Sequence, residues 1–326
     1  MSGSYLHSPD ECNNFVLMQK PKFSHLNFIK IMARRIVYFG SVSAPYLSGD
    51  LFATMVDYAP WRSRKHLFTE ALRALLLRKS KEFEPRINLR RLASANSVFI
   101  PSHQLGSFVQ KYEEHIKAKV IVCGNSDFNF TEIPSMPNSV KICILQNSAI
   151  SDGQKIYTLP IGIENLSLGR AGITRFHKNF KSHSIYNRIL IPPMSPTNKE
   201  RYNALIWGRE NPSIADTFFT LLPLEQYFEL ARSYKFIFCS EGNGFENHRI
   251  WESLYQGSFP VLLRTPWSES LSNLGLPILY VNSYAEITPN LLHCFYELNK
   301  DFDPTACDWL WGPTWKKFID EKSKVG

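Results

Sequence analysis

No run of about eighteen apolar residues occurs in the chain, so the sequence offers no transmembrane helix. Its first residues, MSGSYLHSPDECNN, lack the basic-then-apolar order of a secretory leader. No segment repeats at a fixed period, and no low-complexity tract stands out. The six cysteines (Cys12, Cys123, Cys143, Cys239, Cys294 and Cys307) include no C-x-x-C pair, which argues against a zinc site or a dithiol redox motif. Cys123, Cys143 and Cys239 fall in apolar, strand-like runs and read as small buried hydrophobes. Reduced thiols and the missing leader together suggest a soluble cytoplasmic protein, or one peripheral to a membrane.

What the sequence does have is core-forming material and unevenly placed charge. Its 326 residues, 44% of them hydrophobic, exceed what one domain usually needs, so two domains are expected. A charged fraction of 20% with 13% aromatics belongs to a globular chain, not a disordered one. The formal net charge is +8, and most of the excess lies in 62–91, where ten Lys/Arg face three acidic residues. Such a patch implies a polyanionic partner: anionic lipid headgroups, an acidic glycan or nucleic acid. Little aromatic interleaving and no helix-turn-helix, RRM or zinc pattern accompany it, so no nucleic acid is expected. An anionic membrane surface or an acidic glycan fits better.

Residues 35–40 (RIVYFG) read as a short buried strand, followed by a loop at 41–50. Over 66–80 one apolar stripe and a basic far end predict a helix whose charges suit its dipole. Packing on a sheet is its simplest role, and membrane-surface contact the sharper one. Short apolar runs at 97–100, 120–123, 141–145 and 155–160, with a helical pattern at 105–118, predict a parallel sheet. Polar and small residues cluster at three strand ends, 124–127, 146–148 and 162–165. In open α/β sheets that is the ligand side.

Residues 166–187 are basic, polar and without apolar periodicity, as a linker would be. A second alternation follows, with strands at 188–192, 235–239, 259–263 and 276–281. Helices begin at Glu200 (capped by Thr197 or Asn198) and span 223–233, 247–256 and 289–300. The expected organisation is an N-terminal extension (1–34), a Rossmann-like domain (35–165), the linker, a second Rossmann-like domain (188–300) and a tail (301–326). Two doubly wound domains would then face a cleft.

The stretch 240–261, SEGNGFENHRIWESLYQGSFPV, concentrates the chemistry. Its glycines let the backbone approach a ligand at the end of strand KFIFC. The helix that follows presents free N–H groups and its positive dipole end, a ready anion site. His248 and Arg249 lie in its first turn, and Glu252, three residues beyond Arg249, shares its face. Cationic and N–H donors suit a diphosphate, whereas a carboxylate suits ribose or sugar hydroxyls. Each element alone occurs in many strand–loop–helix–strand units. The combination is hard to reach by chance.

KFIFCSEGNGFENHRIWESLYQGSFPVLL resembles the C-terminal signature of the exostosin-like glycosyltransferases, which have two Rossmann-like domains in the GT-B fold. The segment 195–198 (SPTN) with Arg201 is similar to the loop that approaches the nucleotide in that fold. YTLPIGIEN (157–165) and the loop 124–127 are similar to N-terminal-domain segments of small microbial relatives. The likeness is tight over 188–285, looser over 97–165 and absent from 1–34. It implies a glycosyltransferase of surface polysaccharide or glycoconjugate synthesis, with a nucleotide-diphosphate sugar as co-substrate and a glycan or lipid-linked acceptor.

The resemblance implies a donor site formed by Asn198, Arg201, Ser240, Glu241, Asn243, His248, Arg249 and Glu252. Arg249 and the helix N-terminus would stabilise the departing diphosphate. Inverting transfer also needs a base from the opposite domain. Asp127 and Glu164, both at strand ends, are the candidates, with His103 a third. No catalytic metal and no cofactor are expected, because the single Asp-x-Asp (Asp301, Asp303) follows no strand and reads as a turn. Trp309, Trp311 and Trp315 in the tail are expected to pack back on the body. The alternative is a non-catalytic nucleotide- or glycan-binding protein of the same fold.

Overall fold

The computed structural model describes residues 45–63, 66–69, 72, 84–168, 171–177, 186–195 and 197–324, together with positions 26, 29, 30 and 33. The expected strand at 35–40 and most of the extension 1–34 lie outside these residues. So do most of the 66–80 helix, of which 66–69 is helical, and much of the basic segment 62–91.

The chain is a mixed α/β protein built on two parallel sheets. Helix α1 (Gly49–Thr54) begins within the expected 41–50 loop, capped by Ser48, whose side chain accepts the N–H of Leu51. Helix α2 (Leu89–Ser94) precedes β1 (Ser97–Pro101), and α3 (Leu105–Tyr112) connects it to β2 (Val120–Gly124). The helical pattern expected at 105–118 thus ends at 112 as α-helix, followed by a short 3-10 turn (Glu113–His115). β3 (Ile142–Leu145) and β4 (Ile156–Thr158) complete a sheet of order β1-β2-β3-β4.

The second sheet opens with β5 (Tyr186–Ile191), so the strand begins inside the expected 166–187 linker. That linker is not simply solvated, because His177 within it is fully buried. Its ring lies against Tyr46, Phe228 and Tyr255. Next come α4 (Lys199–Glu210), β6 (Ala215–Thr217), α5 (Leu224–Arg232), β7 (Tyr234–Phe238) and α6 (His248–Tyr255). β8 (Phe259–Leu263), α7 (Pro266–Ser272), β9 (Leu279–Val281) and α8 (Pro289–Asn299) follow. Sequence reading missed β6 and α7; three residues of strand, or seven of helix, carry too little periodicity to be seen.

The order β6-β5-β7-β8-β9 reverses direction at β5, because the chain goes first to β6 on one side and then to β7 on the other. The helices that follow β5 and β7 therefore pack on opposite faces of the sheet, and the carboxyl ends of these two strands are the usual ligand position in such sheets.

Alternation along each strand sorts side chains into layers. In β2, Val120 and Val122 face a central core while Ile121 and Cys123 face the outer one. In β7, Ile237 points to the same central core and Phe236 and Phe238 to the opposite outer layer. One apolar core thus runs through both halves, and α6 lies in it. Ile250, Trp251, Leu254 and Tyr255 are completely buried, so this helix is enclosed beyond its first turn. The last helix, α9 (Gly312–Lys324), returns to the first half, where Trp315 meets Phe52 edge-on at 5.6 Å between ring centres. Trp311 packs on Tyr46 and Tyr255, and Trp309 on Trp315. Asp303 takes the backbone N–H of Thr305 at 2.8 Å, so the Asp-x-Asp caps a turn. Among the described residues no helix is long and apolar enough to cross a membrane.

Candidate functional site

The crevice between β5 and β7 gathers two segments about forty residues apart. Asn198 caps α4 by accepting the N–H of Arg201 at 3.0 Å. Its amide nitrogen also donates to the carbonyls of Glu241 (3.1 Å) and Gly242 (2.9 Å). Arg201 Nε donates to the same Glu241 carbonyl at 2.8 Å, and Glu200 accepts the Glu241 N–H at 3.1 Å. The Glu241 carboxylate takes the Trp267 indole N–H at 2.7 Å. These contacts fix the SEGNG backbone before any ligand arrives. Ser240 is buried; its carbonyl accepts from Asn247 and its hydroxyl lies 3.2 Å from the Met194 sulfur. Both contacts hold the loop in place.

At the start of α6, Arg249 donates to the Pro193 carbonyl at 2.8 Å and lies over the Tyr227 ring. Arg249 also helps hold Arg201 down to about 10, burial being the larger cause. Glu252 is buried, and burial pushes its carboxyl up to about 7, with Arg249 drawing it down and Glu164 pushing it further up. Burial likewise pushes Glu200 up to about 7, against the bond from the Glu241 N–H. Two guanidiniums and several carboxyl groups thus share one low-dielectric crevice, the setting in which titration is tuned for chemistry.

The facing wall belongs to the first sheet and encloses a cavity of about 290 Å³. Asp50 and Arg62, both buried, form an ion pair at 3.2 Å. Asn125 donates to Asp50 at 3.2 Å and accepts from Asn165 at 2.9 Å, while the Asp50 N–H donates to Asn165 at 2.8 Å. Gln146 accepts the N–H of Asn125 at 2.9 Å. Asn125 and Asn147, just past β2 and β3, both have φ of 54°, a left-handed conformation asparagine tolerates. Asp127 and His248 also line this cavity, Asp127 being exposed. Glu164 is buried and does not line it, nor does His103, which is exposed and hydrogen-bonds Ser126 at 3.2 Å.

The two walls are joined by the loop 243–248. Asn243 donates to Asp127 at 3.3 Å, the Phe245 N–H to Asn129 at 2.8 Å and the Glu246 N–H to Asn147 at 2.8 Å. His248 Nδ1 lies 2.8 Å from the Gly162 carbonyl, which can only accept, so that nitrogen carries the proton. Glu246, which sequence reading did not single out, is buried and accepts from Trp251 at 2.5 Å and from the Ile161 N–H at 3.1 Å. Burial pushes its carboxyl up to about 8. Glu200 was missed too. Neither has a local signature, since each is defined by a partner distant in sequence.

Fold and site together define an α/β protein with a polar crevice at a topological switch point. No family model matches the chain, and no curated protein matches it.

Proposed function

We propose that this protein transfers a sugar from a nucleotide-diphosphate sugar to a glycan or lipid-linked acceptor, in the two-domain GT-B arrangement of the exostosin-like enzymes it resembles. One observation carries the reading. Asn198, Arg201 and Glu241 meet at the switch point of the second sheet, and the same loop reaches Asp127 and the cavity of the first sheet. Donor and acceptor walls are thereby adjacent.

In this reading the diphosphate lies at the start of α6, where the helix dipole, Arg249 and Arg201 supply positive potential. Glu241 and Glu252 take ribose or sugar hydroxyls. Asp127 is the base: it lines the cavity, is exposed and has no cationic partner among the described residues. It removes the proton as the acceptor oxygen bonds to the anomeric carbon. The bond to the diphosphate oxygen breaks, and its electron pair leaves with the diphosphate, stabilised by the crevice cations. Glu164, buried beside Glu252, acts on that neighbour's charge instead.

Thermal-shift titration with UDP-, GDP- and CMP-linked sugars tests the donor site, because a bound ligand raises stability by mass action. A shift with a UDP- or GDP-linked sugar is expected, followed by slow donor hydrolysis, whereas a shift with the monophosphate CMP-linked sugar alone would contradict a diphosphate donor. No shift with any of them would sink the reading. Saturable binding without turnover towards any acceptor would favour the non-catalytic alternative.

A further inference from the structure

The cavity of the first sheet has a composition the donor site does not explain. Its volume, about 290 Å³, is at the small end for ligand pockets, which begin near about 300 Å³. Its inner part therefore has room for about one ring, and the cavity is open on one side. Asp50 and Arg62 compensate each other, so neither offers a net charge to a ligand. The remaining polar lining includes three amides, Asn125, Gln146 and Asn165, beside Ser126, Ser167, His248 and Asp127.

Those amides are held in place from behind. Asn125 spends its oxygen on Asn165 and one N–H on Asp50, and Gln146 spends its oxygen on the Asn125 backbone. The Gln146 side-chain nitrogen makes no hydrogen bond among the described residues, although the residue is only 2% exposed. It has two N–H donors to offer, and the open space its residue lines is this cavity. That nitrogen is not among the fully enclosed, unsatisfied polar atoms, so its N–H groups reach open space where a ligand or water can accept from them. Gly49 gives Asn125 its room, because a Cβ there would overlap the Asn125 side chain. Among the described residues lining the cavity, the uncompensated charge is the Asp127 carboxylate at the mouth, and it is negative.

We infer that this cavity is a subsite for one neutral, hydroxyl-rich sugar ring, the terminal unit of the acceptor, with the Gln146 amide as a specificity-determining donor and Asp127 as the group that excludes anionic rings. The inference rests on the proposed transfer for the word acceptor, but not for the binding itself. Fixed amide donors match the lone pairs of sugar hydroxyls. A carboxylate or phosphate on the ring would meet Asp127, with no uncompensated cation among the described lining residues to offset it.

Saturation-transfer NMR with the full-length protein, with and without UDP, GDP and CMP, tests it. The probes are glucose, galactose, mannose, N-acetylglucosamine, xylose and fucose, against glucuronate, galacturonate, glucose 6-phosphate and glucosamine. At least one neutral sugar should bind at millimolar concentration, and its anionic counterpart roughly tenfold more weakly or less. Asp127→Asn should narrow that gap. Gln146→Glu keeps the acceptor for the Asn125 N–H but loses the donor pair, and should weaken neutral-sugar binding roughly three- to tenfold. Gln146→Met, with folding checked by circular dichroism, gives a second version of the same loss. Tighter binding of the uronates or the phosphate would overturn the assignment, and so would exclusion of the cationic amino sugar as strong as that of the uronates. So would unchanged affinity in folded Gln146 variants, or no sugar bound under any condition. If nucleotide sugars still shift the melting temperature in that last case, the transferase reading survives and this subsite falls. Sugar binding without any nucleotide response would instead leave the subsite standing and overturn the transferase reading.

Discussion

The carboxylate of Glu246 accepts the backbone N–H of Ile161 at 3.1 Å, although the two residues stand 85 positions apart on opposite halves of the molecule. The same carboxylate oxygen takes the Trp251 indole. A buried acid thus ties the loop after β7 to the loop that carries Gly162, Glu164 and Asn165. The positions of the two proposed substrates depend on this tie.

Stability should fall as pH rises through neutrality. The carboxyls of Glu246, Glu252 and Glu200 are all pushed up, to about 8, 7 and 7, chiefly by burial. Between the unfolded value near 4.3 and those folded values, the unfolded chain has released protons that the folded chain keeps. The contribution is complete below the unfolded value and is lost as pH climbs towards about 8. Urea midpoints at pH 6 and pH 9 read the effect. Glu246→Gln, which keeps a carbonyl acceptor, should flatten the slope, and Glu246→Ala should destabilise by about 1–3 kcal/mol for each orphaned donor.

Arg249→Gln should abolish the thermal shift given by a nucleotide sugar. It removes the guanidinium that draws the Glu252 carboxyl down and leaves Glu164, which pushes it up. Glu252 should then hold its proton to a higher pH, so a rise in melting temperature by the donor at any pH would contradict the assigned role.

Asp127→Asn and Glu164→Gln separate the two base candidates. With Asp127 as base, turnover in its variant should fall by about 10²–10⁴-fold while donor affinity is retained. Glu164→Gln should shift the pH profile, because Glu164 raises the Glu252 carboxyl, and leave the maximal rate nearer wild type. The opposite ranking in a steady-state assay would transfer the role to Glu164.

Asn198→Ala should cost more than an ordinary helix cap, which is worth about 1 kcal/mol. The side chain caps α4 and also holds the carbonyls of Glu241 and Gly242. Denaturant unfolding should show the loss, and donor affinity should weaken with it. A stability change without any change in donor affinity would confine Asn198 to capping.

The strands were legible because a buried parallel strand is a local signal. Val120–Gly124 and Phe259–Leu263 are continuous apolar runs closed by turn residues, and both appear where the alternation placed them. The helix after SEGNG was legible for the same reason, with Asn247 as its cap. The layout of the second half as a doubly wound sheet followed from the order of these elements. The short β6 and α7 were not legible, nor was the depth at which His177 is buried.

What the sequence determined by itself is the set of elements and the placing of small and polar residues at strand ends, since both depend on neighbours a few positions away. Only the tertiary structure decided which of those residues meet. Asp50 reaches Asn125 across 75 positions, Asn125 reaches Asn165 across 40, and Asn243 reaches Asp127 across 116. The enclosure of α6 by both halves and the return of Trp315 to Phe52 are likewise products of the shared core. Apolar periodicity reports that a face is buried, but not against what. Hydrogen-bond partners are chosen by that unseen packing, because a buried polar group must find whatever donor or acceptor the fold brings within reach.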